Sequence, residues 1–404
     1  MALHRGNASS FRFCRLAVAA QLLAGALLVG VLLPPPAAAD GRAEQVRSYS
    51  IVDLGTLGGS FSAPLDLNGA GEVIGVSVPV GDTALRGFVW RRGVMRDLGA
   101  LGGPQSAASA INASGQVSGW ADLDRVASPS IFNTTSLFCN PPMVENEPPM
   151  VCHAVLKDGR RLLDLGTLGG ANSAAENRAI TADGQVAGVA ETKEPDPTGL
   201  PGAPRFHATL WVTHGHGRMA AIDLGTLGND PDSVAVGLND RGQVIGISVA
   251  NGADFNGPNG QGFLWDRGRK TPLPAIGGSH SGPSAINNRG QIVGASFLGG
   301  DQIVHATLWT GQRTIDLGAL PGDVFSEATD ITEGGLIVGV SCSPAGVCRA
   351  VRWSHDQRIT DLNALIHAGQ WHLGDAQAAN ERGQIVGDLA DKAHGFLATP
   401  SNHS

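Results

Sequence analysis

The hexapeptide Asp-Leu-Gly-Thr-Leu-Gly begins at Asp53 and again at Asp164 and Asp223. A chain that repeats itself in this way folds as a set of like units. Near copies are Asp97-Leu98-Gly99-Ala100-Leu101-Gly102 and Asp316-Leu317-Gly318-Ala319-Leu320, and degenerate copies start at Leu273 and Asp361, making seven. Each copy is followed by a four-residue turn with Asn or Thr first and Gly last, at 68–71, 112–115, 181–184, 239–242, 287–290, 332–335 and 380–383. This is hairpin chemistry: the glycine takes a positive φ and the polar side chain bonds back to the turn backbone. The Asn and Thr are therefore read as structural.

Small-residue strands flank each turn. Four recur per unit: A, Ser-x-Ala-x-x-Ile; B, Gly-Gln-Val-x-Gly; C, His-Ala-x-Leu-Trp; and D, which ends in Asp-Leu-Gly. The 57 glycines among 404 residues and the 16% charge fit turn-rich β structure better than a helical bundle, a coiled coil or a disordered chain. Four short strands in about 52 residues, seven times over, predict an all-β, seven-bladed β-propeller of four-stranded antiparallel blades. Strand A is expected innermost, because crowding near the axis selects small residues. A lone D strand opens the repeat at Tyr49 and a lone C strand ends it at Gly395–Ala398. Their pairing would close the ring and remove the exposed edge.

Ahead of the repeats, Arg5, Arg12 and Arg15 precede an apolar run from Leu16 to Leu33, and Ala37-Ala38-Ala39 stands before Asp40. This pattern is read as a secretory signal peptide at 1–39, leaving the propeller at 40–404. Cleavage removes three arginines and no acid, taking the net charge from −8 to −11. Nucleic acid is thereby disfavoured as a partner. The expected product is a monomer, free of the membrane after cleavage, in the extracellular or periplasmic space. Four cysteines remain, and an even count in an exported chain predicts the bridges Cys139–Cys152 and Cys342–Cys348.

The His-Ala strand at His153, His207 and His305, taken with the Asp-Leu-Gly-Thr-Leu-Gly-Gly segment, resembles the HAF family of extracellular repeat proteins. That resemblance covers nearly the whole chain after residue 39 and implies secretion and a repeat fold, without an assigned chemistry. The copy at Leu273 lacks the Asp, the copy at Asp361 lacks the Gly-Gly, and Ala or Thr often replaces the Phe.

Function is expected on the face carrying the B–C and D–A connections, where 120–151, 189–206 and 249–261 read as long insertions. Residues that break the repeat are the candidates. Trp371, His372, Trp120, Phe132 and Phe138 are the expected binding residues, able to stack on sugar rings or anchor a protein, with internal roofing of the loops as the alternative role of the aromatics. The recurring His153, His207, His305 and His394 are read as repeat architecture, and His214 and His216 as a solvated turn. Asp66 and Asp330 replace small residues at one inner-strand position and form the alternative catalytic pair. Asp230, Asp232, Asp323 and the 251–259 stretch offer oxygen atoms without a known calcium spacing, so neither metal nor cofactor is expected. The function expected from the sequence is a non-catalytic protein binding an extracellular glycan or protein through its loop face. A carbohydrate-active enzyme, a lyase or hydrolase, is the alternative.

Overall fold

A computed structural model describes residues 48–128, 138–139, 148–197, 202–214, 218–250, 260–367 and 371–401. The signal segment, Phe132, His216 and the 251–259 stretch lie outside the described residues. The fold is all-β, a β-propeller architecture of four-stranded antiparallel meanders. The first unit shows the plan: Gly58–Leu67, Val73–Pro79, Arg86–Arg91 and Val94–Asp97 pair in that order. Units two and three repeat it as separate sheets. The next three meanders, starting at Asp232–Leu238, Gly277–Ile286 and Phe325–Ile331, share one twelve-stranded sheet. They are joined by single parallel pairs, Gln261 with Ser281 and Val304 with Phe325. Hydrogen bonding therefore delimits five sheets instead of seven separate ones, because strand C of one unit there touches strand A of the next.

The last sheet is composed of both ends of the described chain. Ser48–Asp53 pairs antiparallel with Gly395–Ser401, with Val52 opposite Leu397. Ala378–Ala379 and Ile385–Asp388 complete it.

Two features of the repeat have direct physical causes. All seven A–B turns end in a glycine with φ between 72° and 86° (Gly71, Gly115, Gly184, Gly242, Gly290, Gly335 and Gly383), a region other residues avoid. Each turn is also tied by its first residue. Asn287 Oδ1, for example, accepts from the amides of Arg289 and Gln291. The second feature is the glycine that closes the strand-B motif. A Cβ on Gly75, Gly119, Gly188, Gly294 or Gly339 would lie 2.0–2.1 Å from a strand-A carbonyl oxygen. The strand-A backbone leans over that position because a bulge follows it, as between Pro64 and Asp66 or Ala328 and Asp330.

Neighbouring units are joined by the Asp-Leu-Gly segment and the serine of the next strand A. Ser62 Oγ donates to the Gly55 carbonyl and accepts from the Gly395 amide. Ser173, Ser233 and Ser326 make the same pair of bonds in their own units. Between units the strand-C tryptophans fill the core. Trp211 and Trp353 are fully buried, and Trp353 Nε1 reaches back to the Leu317 carbonyl of the preceding unit at 2.8 Å.

Both expected disulfides, Cys139–Cys152 and Cys342–Cys348, are present. Among the described residues no helix is long and apolar enough to cross a membrane.

Candidate functional site

The histidines that recur in strand C face the aspartates that recur at the end of strand D. His153 Nδ1 lies 2.8 Å from Asp164, His207 2.9 Å from Asp223, His305 2.9 Å from Asp316 and His394 3.0 Å from Asp53. Each aspartate also accepts the amide of the glycine two residues on. Burial would raise these carboxyls, but the bonds from glycine and histidine outweigh it and hold all four below the usual range. In the first unit Arg86 replaces the histidine and pairs with Asp97. These pairs are spread one to a unit, so they fasten strand C to strand D and do not converge.

The aromatic residues expected to face a ligand are used inside the fold. Trp120 lies in the strand Val117–Val126, 3% exposed, at the position that the buried Val76, Val189 and Val340 fill in the first, third and sixth units. Phe138 is 7% exposed and packs edge-on against Phe206 at 5.5 Å. Both belong to a cluster with Ala63, Val76, Ala174 and Val234 that joins the inner strands of the first four units. Trp371 is half-buried against the last unit, and Lys392 Nζ covers its ring at 4.7 Å. His372 remains exposed and is held by Asp391. The stretch that begins at 120 thus starts as strand, and Trp120 and Phe138 are packed among the inner strands instead of presenting rings to solvent.

The aspartates that offered oxygen atoms without a calcium spacing are engaged within the chain, while the 251–259 stretch lies outside the described residues. Asp230 and Asp323 accept from Ser248 and Ser341, Asp323 is bidentate to Arg349, and Asp232 accepts the Phe206 amide. Among the described residues no group of three or more His, Cys, Asp or Glu is placed to hold a metal ion.

At the inner strands the structure brings Asp330 to a residue that sequence reasoning passed over, one whose charge Asp66 also feels. Asp66 accepts from the amides of Leu67 and Ile111, and Asp330 from those of Ile331 and Ala379, so each carboxylate pins its own strand A to the next. Arg178 enters from the third unit. Its Nε lies 3.4 Å from Asp330 Oδ1, both side chains are 10% exposed, and its Nη2 donates to the Gln377 carbonyl. The arm therefore links the third unit to the sixth and seventh, and its charge also acts on Asp66 of the first. Burial pushes Asp66 up to about 7; Arg178 pulls it down and Asp330 pushes it up further. Burial raises Asp330 too, against the pull of Arg178. Glu176, half-buried beside this arm in the same strand, is pushed up to about 7 by burial.

A length signal for this arm is present in the chain. From the strand-A serine to the Asn or Thr of the turn there are six steps in five units (62 to 68, 106 to 112, 233 to 239, 281 to 287, 326 to 332) but eight in the third, from Ser173 to Thr181. The two extra residues are absorbed between Ala175 and Ile180, whose partners Gly188 and Val186 are only two apart. Arg178 sits there with φ +54°, a left-handed conformation uncommon outside glycine.

No protein-family profile matches the chain, and no curated protein matches it in sequence. Similar solved structures include a propeller domain. The β-propeller domain of the Trilobed protease from Pyrococcus furiosus, described as having an open velcro topology, is 9% identical with TM-score 0.49, over 85% of this chain and 94% of that one. An S511A mutant of puromycin hydrolase complexed with PGG is 16% identical with TM-score 0.46, over 78% of this chain. Pyrococcus horikoshii acylaminoacyl peptidase is 10% identical with TM-score 0.45, over 82%. The chain spans about half the length of the last two proteins, 46% and 49%. At such identities the likeness is one of fold.

The expected glycan or protein binder acting through its loop face, with its carbohydrate-active alternative, is corrected by these findings. The solved structures of similar fold are a hydrolase, a peptidase and a protease's propeller domain, and among the aromatics on which the expectation rested Trp120 and Phe138 are packed into the core and Trp371 is covered by Lys392.

Proposed function

We propose that the chain is an exported, seven-bladed propeller of the HAF kind, closed by the pairing of its terminal strands, that holds a primary amine at its axis, with a peptide amino terminus as the ligand class. The observation that carries this reading is the axial group itself. A carboxylate, Asp330, and the Gln377 carbonyl hold a single buried cationic side chain, whose charge also acts on Asp66. An ammonium has three N–H donors, and a carboxylate and a carbonyl that already hold a guanidinium can accept from it. Asp66, raised by burial and by Asp330, gains most from an added positive charge.

Closure into seven blades is supported by a circuit of bonds between adjacent turns. Asn68 Nδ2 donates to the Asn112 carbonyl, Asn112 to Thr181, Asn239 to Asn287, Asn287 to Thr332, and Asn380 back to Asn68. Threonine has no amide to donate. After Thr181 and Thr332 the link runs instead from the Ala182 amide to Asp240 and from the Gly334 amide to Glu381. Export is supported by the two disulfides, which persist in oxidising compartments.

The test is calorimetric titration of the protein with trialanine, free or acetylated at its amino terminus. Binding of the free peptide only, weakened about tenfold or more in Asp66→Asn, is expected, since hydrogen bonds to charged groups contribute about 1.5–3 kcal/mol. Equal binding of both peptides, or of neither, would overturn the reading.

A further inference from the structure

The third inner strand departs from the repeat in length, in backbone conformation and in the direction of its charge. Two inserted residues deliver a guanidinium across the molecule to groups more than 100 residues further along the sequence, Asp330 and Gln377. An interior that needed only a neutral filler would be served by the alanines and valines that line the other inner strands. A buried ion pair is a poor way to gain stability, because desolvation offsets most of the attraction. Here the cost is compounded by an uncommon left-handed residue.

We infer that Arg178 is an autoinhibitory occupant of the axial site: its guanidinium stands where a ligand's ammonium would stand, and withdrawal of this arm admits the ligand. The inference rests on the reading of the axis as an amine site. It assigns the inserted arm a regulatory role, with the affinity of the intact protein lowered by the fraction of molecules in which the arm is seated.

Two readouts on Arg178→Ala separate the inference from the reading beneath it. With trialanine, the variant should bind about tenfold tighter than the wild type, as expected when a competing internal group occupies the site about nine-tenths of the time. With methylguanidinium, which replaces the missing head, the melting temperature of the variant should rise while that of the wild type should not. If the wild type binds trialanine and the variant binds no tighter, the arm is not a competitor and the inference fails while the amine site stands. If no protein binds trialanine but methylguanidinium still stabilises the variant, the arm is a seated, replaceable cation and the ligand class is wrong. If neither effect occurs, both are overturned. Should the alanine variant fail to fold, Arg178→Lys keeps the charge but loses the fork and should bind trialanine two- to threefold tighter than the wild type. No gain would overturn the inference.

Discussion

The seven A–B turns and the inner strand of the third unit come from one repeat and use their polar groups in opposite ways. In five of the turns the leading Asn is matched to the next copy: it bonds its own backbone through Oδ1 and the neighbouring turn through Nδ2. In the third inner strand, Glu176 and Arg178 have no counterpart in the other units, and Arg178 bonds groups across the molecule. Repetition solves the problem of joining like units, because one good joint serves them all. A group that appears once cannot be explained by that need, and this places the candidate site on the first strands of the units and not on the elaborated loops.

Variants can break each side of this comparison. The largest loss is expected from Gly339→Ala, whose Cβ would lie 2.0 Å from the Glu327 carbonyl oxygen. Backbone on both sides has to move, and urea unfolding should show a loss of about 2–4 kcal/mol. Asn287→Ala should cost about 2 kcal/mol, since it leaves two turn amides and the Thr332 carbonyl without their bonds. An effect below about 0.5 kcal/mol, the size of an ordinary surface change, would show that the turn circuit is not what joins the units.

The axial group should show in the pH dependence of stability. Asp66 and Glu176, raised to about 7 in the fold, bind more protons folded than unfolded between about pH 4 and 7. Their contribution is present in acid and is lost as pH rises through that window. Asp53, Asp164, Asp223 and Asp316 carry the opposite sign: their folded values are depressed, so their contribution is present above about pH 4 and is lost as pH falls further. Stability should therefore peak on the acid side of neutrality, and Asp66→Asn should flatten the decline from pH 5 to 7 by roughly one proton. An unchanged slope in that variant would contradict the burial of Asp66. The smallest effect belongs to His305→Ala, which removes one of the partly exposed His–Asp pairs and should cost less than about 1 kcal/mol near pH 6.

Much of this fold was legible because its determinants are local and repeated. The turn glycines, the Asn and Thr that cap them, the strand order and the two cysteine bridges follow from spacing within a single unit. The pairing of Ser48–Asp53 with Gly395–Ser401 was readable from the unmatched strands at the two ends. What spacing within a unit does not reveal is where an irregular side chain goes. Trp120 and Phe138 read as exposed because they sit near an insertion, yet strand pairing continues to Val126 and places Trp120 in a valine's position. Asp66 and Asp330 were identified as unusual, while their partner was overlooked, because Arg178 stands out only when the third inner strand is counted against the others and found two residues longer.

The most direct test of the axial account is a double-mutant cycle on unfolding in urea with wild type, Arg178→Ala, Asp330→Asn and the double variant. If the arm from the third unit reaches the sixth as described, the two side chains should be coupled by about 1–3 kcal/mol, the range for residues in contact in one network. Additive losses, with a coupling below about 0.3 kcal/mol, would mean that the arm does not reach Asp330 and that the axis holds no such site.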